Sequence, residues 1–157
     1  TCTDGTVLDV FQLQTADNEL VSDTHVLERL QDGITGAVTG TLRPQAALDE
    51  RWRSLPARVR RLPVRSRVIL SNRISSTHTV IEINGRDFPG LLHRLTRTLA
   101  DLGLQIQTAT VSTYGERVVD VFYVKDLFGL QIHNQARLDT IRDRLLAVFE
   151  QVDEAAA

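Results

Sequence analysis

The chain has no methionine, one cysteine, one lysine and one tryptophan in 157 residues. The lone Cys2 excludes an internal disulfide framework and any multi-cysteine zinc site, and it fits a reducing compartment. No stretch approaches the roughly 20 consecutive apolar residues of a membrane span, and no secretory signal pattern is present. A cytoplasmic location and no membrane partner are expected. A natural chain that begins at Thr1 and lacks methionine throughout is expected to be a piece of something longer.

Apolar residues make up 42% and charged residues 24%, enough to bury a core without staples. The formal charge of −2 argues against a general nucleic-acid coat, although the basic residues are nearly all arginine, with Lys125 the single lysine. The four histidines, His25, His78, His93 and His133, have no metal-site spacing and are read as solvated or structural. No metal ligand set is expected.

The stretch that organises the rest is Asn84 to Gly103, NGRDFPGLLHRLTRTLADLG. Leu91, Leu92, Leu95, Leu99 and Leu102 recur at three- and four-residue intervals, which predicts a helix with one apolar face. Asp87 is the expected N-cap, Pro89 suits a first turn that has no amide to offer, and Gly103 marks the stop. Gly90 allows close approach to the backbone, and first-turn amides point outward toward a small anion such as a carboxylate. Asp87 would take a matching ammonium, and the two together form the binding logic of a free amino acid. Asp-x-Pro-Gly is also an ordinary strand-to-helix turn, and both readings stand on these residues alone.

Around this stretch the periodicities predict a strand over Arg67 to Leu70, another over Thr77 to Ile83, strands from Leu104 to Thr113 and Arg117 to Val124, and a helix over Asn134 to Val152. The order strand, strand, helix, strand, strand, helix gives an α+β, ferredoxin-like domain, a four-stranded antiparallel sheet with two helices on one face. The strand at 67–70 is expected to occupy the sheet edge beside Thr77 to Ile83. The domain is bounded as 67–153, with 154–157 a tail.

Thr6 to Leu13 reads as a strand and His25 to Leu42 as a softer helix with Val26, Leu27, Leu30, Ile34 and Val38 on its stripe. Asp9, Val10 and Phe11 match Asp120, Val121 and Phe122 at an offset of 120 − 9 = 111. In the same register Leu13 meets Val124, Leu27 meets Leu138, Leu30 meets Ile141, Asp32 meets Asp143, Ile34 meets Leu145 and Val38 meets Phe149. Residues 1–42 are therefore expected to be the back half of a preceding copy of the same module. Between the copies, Arg43 to Arg73 holds nine arginines, two acids and three of the four prolines. Residues 43–66 read as a partly structured linker, with a short helix possible from Pro44 to Leu55 that carries Trp52 on its apolar side.

THTVIEINGRDFPGLL and LTRTLADLGLQIQTATVSTYGERVVDVFYVKDLFG resemble an ACT domain, and more narrowly the last ACT domain of the bacterial bifunctional uridylyltransferase and uridylyl-removing enzymes that act on PII signal proteins. The resemblance covers about half of the chain. It implies a regulatory region that senses glutamine, with tandem ACT domains and distant catalytic domains. Any divalent metal, magnesium or manganese, would belong to those catalytic domains, and no cofactor is expected within this stretch.

By the same resemblance the ligand would meet Asp87 through its ammonium and the amides of Gly90, Leu91 and Leu92 through its carboxylate. Phe88 and Pro89 would lie in the same loop, Phe88 as a cover, although arginine is the commoner residue there. Gln107 would meet the ligand's side-chain amide from a neighbouring ACT domain. Occupancy would favour deuridylylation and scarcity uridylylation of the PII partner. The residues themselves hold no Ser-His-Asp arrangement, Walker-type loop, Gly-Ser with paired aspartates or His-Asp metal motif, so no catalytic residue is expected. Two other readings remain open. One is an ACT region of another amino-acid-controlled enzyme, and the other is a module that dimerises without a ligand.

Overall fold

A computed structural model of the chain describes residues 19–54 and 64–154, with side chains to residue 150. Its elements are α1 (Thr24–Val38), α2 (Pro44–Ser54), β1 (Arg67–Ser71), β2 (Thr79–Arg86), α3 (Leu91–Asp101), β3 (Gln105–Tyr114), β4 (Arg117–Lys125) and α4 (Gln135–Glu154). They fall into two compact units, Thr1–Pro44 and Gln45–Ala157. The strand expected over Thr6 to Leu13 lies outside the described residues.

In the larger unit the sheet order is β1-β2-β4-β3, with every neighbouring pair antiparallel. β1 takes the edge beside β2, with Val68 opposite Ile83 and Leu70 opposite Ile81. This is the ferredoxin-like arrangement, its outer edge filled by a strand that precedes the module. The alternation of β4 explains the layering: Val118, Asp120, Phe122 and Val124 are buried on one face, while Val119, Val121, Tyr123 and Lys125 are only partly covered on the other.

Helices α3 and α4 close the buried face. Leu91, Leu95 and Leu99 of α3 and Ile141, Leu145, Val148 and Phe149 of α4 join Ile81, Ile83 and Phe122 in one core. At Gly85 of β2 the Phe149 ring of α4 packs directly on the strand, since a Cβ there would overlap it.

Helix α1 starts in the register that the internal repeat requires. Its cap is Asp23, whose carboxylate accepts from the His25 amide at 2.9 Å, and Asp23 lies 134 − 23 = 111 residues before Asn134, whose side chain accepts from the Arg137 amide at 3.0 Å ahead of α4. The backbone bonds Leu27 to Asp23 and Leu138 to Asn134 repeat the correspondence. The stripes differ in environment: Leu27, Leu30, Ile34 and Val38 are exposed, whereas Ile141, Leu145 and Phe149 are buried.

Candidate functional site

β2 runs on to Arg86, beyond the expected end at Ile83, and delivers the chain to Asp87. The Asp87 amide donates to the Glu116 carbonyl at 2.8 Å, which ties the loop to the β3–β4 turn. Asp87 is not the N-cap of α3. That position is Gly90, with φ of 87° and no side-chain cap, because the chain needs one left-handed residue to turn from the sheet into the helix. The Asp87 carboxylate, three residues earlier, is exposed and uncommitted to capping.

The first turn also differs from expectation in which amides it offers. The Leu91 amide donates to the Phe88 carbonyl at 3.0 Å and the Arg94 amide to the Gly90 carbonyl at 3.0 Å. Of the expected amides only that of Leu91 is engaged; those of Leu92 and His93, like that of Gly90, have no such acceptor among the described residues and remain for an anion.

Phe88 does not cover the loop from outside. It is 5% exposed and packs edge-on against Phe149, with ring centres 6.2 Å apart. Helix α2 packs on its other side. Trp52 lies 5.4 Å from Phe88, the Arg86 guanidinium stands 5.4 Å from the centre of the Trp52 ring, Asp49 pairs with Arg94, and Leu48 meets Gly90. The arginine- and proline-rich segment thus begins with a helix seated on the loop.

A cavity of about 370 Å³ opens here, within the range of roughly 300–1,000 Å³ of small-molecule pockets. Asp87, Phe88, Gly90, Leu91 and Leu92 of the loop line it. Leu48 of α2, Val111 and Thr113 of β3, and Val118 of β4 complete the walls. Pro89 sits in the loop but does not line the cavity, and Gln107 lies elsewhere. The ladder pairs Ile106 with Val124 and Tyr114 with Arg117, so Gln107 occupies the β-bulge near the end of β3 away from the loop.

Two lining residues escape the sequence reading. His93, set aside with the other histidines, faces the cavity, and its Nε2 is buried without a partner. Asp120 is 1% exposed, and the Ser112 amide donates to it at 3.3 Å. Burial, and secondarily the charge of Asp87, push its carboxyl above the usual carboxylate range, while the Ser112 bond works against them. The available signal was an acid inside the apolar run VVDVFYV, repeated in Asp9-Val10-Phe11.

A βαβ-type loop that carries Asp-x-Pro-Gly at the mouth of a cavity, on a ferredoxin-like sheet, defines an ACT domain. Residues 74–151 match the family model described as the ACR family N-terminal ACT domain. The chain belongs to the ACT-domain family, in the form found in the bifunctional uridylyltransferase/uridylyl-removing enzymes. It is 48% identical over 151 residues to that enzyme of Rhodospirillum rubrum, covering 96% of this chain and 16% of the relative. It is 46% identical over 147 residues to the enzyme of Azospirillum brasilense, covering 93% and 16%, and 43% identical over 148 residues to that of Gluconobacter oxydans, covering 94% and 16%. The chain thus spans about a sixth of the length of these relatives. No solved structure matches it. No helix among the described residues is long and apolar enough to cross a membrane, and no group of three or more metal-ligating side chains occurs among them.

Proposed function

We propose that this ACT domain is the glutamine-sensing region of a bifunctional uridylyltransferase/uridylyl-removing enzyme that acts on PII signal proteins in the cytoplasm. The observation that carries this reading is the cavity at the strand-to-helix loop, where Asp87 and the first-turn amides of Leu92 and His93 border one apolar space. A zwitterion needs a carboxylate for its ammonium and donors for its carboxylate, and the apolar walls of Leu91, Val111 and Val118 suit an aliphatic stem. Ligand binding switches distant catalytic domains only if it favours one of their arrangements over another, since equal affinity shifts no population. Glutamine occupancy favours uridylyl removal, and its scarcity favours uridylylation. Any magnesium or manganese acts in those catalytic domains.

A neighbouring ACT domain or a second copy fits the same reading. β3 is an edge strand of ten residues with Ile106, Val111 and Tyr114 exposed. Antiparallel pairing of two such edges about Ala109 and Thr110 would carry a second copy's Gln107 toward Ser112 and Thr113, at the cavity wall. Titration calorimetry of the full chain with glutamine, glutamate and other amino acids tests the proposal. Saturable binding selective for glutamine and lost in Asp87→Ala is expected. Absence of binding by any amino acid overturns it in favour of a module that only assembles.

A further inference from the structure

Asp120 is out of place by the ordinary logic of a sheet. It stands on the helix-facing side of β4, opposite Ile83 on one neighbouring strand and Val111 on the other, with Val118 and Phe122 as its same-face neighbours. A carboxylate accepts about four hydrogen bonds, yet Asp120 has only the Ser112 amide among the described residues, at 3.3 Å. A buried and under-satisfied acid is costly unless it meets a cation or a donor. Among the described residues neither arginine nor lysine lines the cavity that Asp120 faces, and Arg94 is engaged by Asp49.

The cavity supplies the missing side of the interaction. Its lining residues include two acids, Asp87 exposed and Asp120 buried, beside His93 and Thr113. With two acids and no arginine or lysine among its lining residues, the otherwise apolar cavity suits a cation better than a second anion.

We propose that Asp120 is the specificity-determining residue for the ligand's ammonium group, holding it at the buried side of the cavity while Asp87 serves as its outer partner. This rests on the amino-acid reading of the site and adds a selection rule. The pocket takes a primary ammonium on a neutral stem, and it discriminates against a side chain that brings another carboxylate close to Asp87 and Asp120. Glutamine is preferred to glutamate by charge as well as by shape.

Two measurements on the full chain decide this. In calorimetry with L-glutamine, Asp120→Asn should weaken binding about tenfold or more, as loss of a charge-assisted hydrogen bond implies. In the unsubstituted chain, carbon-13 detection of the Asp120 side-chain carboxyl should show its titration midpoint moving down when glutamine is added, a response that a purely structural acid would not give. Wild-type affinity in Asp120→Asn, or an unmoved midpoint under saturating glutamine, overturns the assignment and leaves the amino-acid site standing. Failure of the unsubstituted chain to bind any amino acid overturns both together.

Discussion

The indole of Trp52 lies 5.4 Å from the ring of Phe88, tilted by 59°, and joins helix α2 to the loop between β2 and α3. Both rings are buried, and Phe149 continues the contact into the main core. This contact makes the segment before β1 part of the wall around the cavity.

Trp52→Ala should destabilise the larger unit by about 3–5 kcal/mol, the usual cost of removing a large buried aromatic. Urea denaturation checks this. Trp52 is also the single tryptophan, so its fluorescence reports on the loop directly. Emission should shift to the red on unfolding, and it should respond to any ligand that reorganises Phe88.

Gly90→Ala should cost at least about 1–2 kcal/mol, since its left-handed backbone penalises a Cβ. The new methyl would also stand 3.0 Å from Leu48, so α2 must shift. A lowered thermal midpoint together with a changed Trp52 emission would report both effects, whereas an unchanged midpoint would contradict the backbone assignment.

Asp120→Asn should alter the pH dependence of stability in a definite direction. A carboxyl whose folded pKa is raised holds its proton longer in the folded state than in the unfolded state. Stability is therefore lost as pH rises from the ordinary carboxylate range through the folded value, and the deficit persists at neutral pH. Asparagine can still accept from the Ser112 amide and carries no charge. The variant should be more stable than the parent at pH 7, and the gap should shrink toward acid pH. Thermal melts across that range measure it, and equal midpoints at pH 7 would count against the effect.

Gly85→Ala should cost about 1–3 kcal/mol through overpacking against Phe149. Combining it with Phe149→Leu should recover part of the loss, with a coupling energy visible in a double-mutant cycle. Strict additivity would mean that the strand and helix do not meet as described.

Much of the fold was legible because periodicity is a local property. The leucine stripe from Leu91 to Leu102 specified α3, alternation specified β4, and the offset of 111 anticipated that α1 and α4 begin at matching caps. The helix start was misjudged by three residues, since Asp87 is a good cap type but the turn geometry gives that position to Gly90. The loop half of the cavity was legible for the same local reason. The far wall was not: Asp120 lies 120 − 87 = 33 residues from Asp87 in sequence, and only the pairing of β4 with β2 and β3 brings it to the same space.

By itself, the sequence determined which segments are helix and strand and which face of each is apolar. These follow from side-chain spacing and backbone sterics over a few residues. Only the tertiary structure decided that α2 lies against the loop, that Phe88 turns inward to Trp52 and Phe149, and that His93 and Asp120 face one cavity. Those relations depend on which surfaces meet across long sequence separations, and the free energy of burying an acid such as Asp120 is defined only once its neighbours are in place.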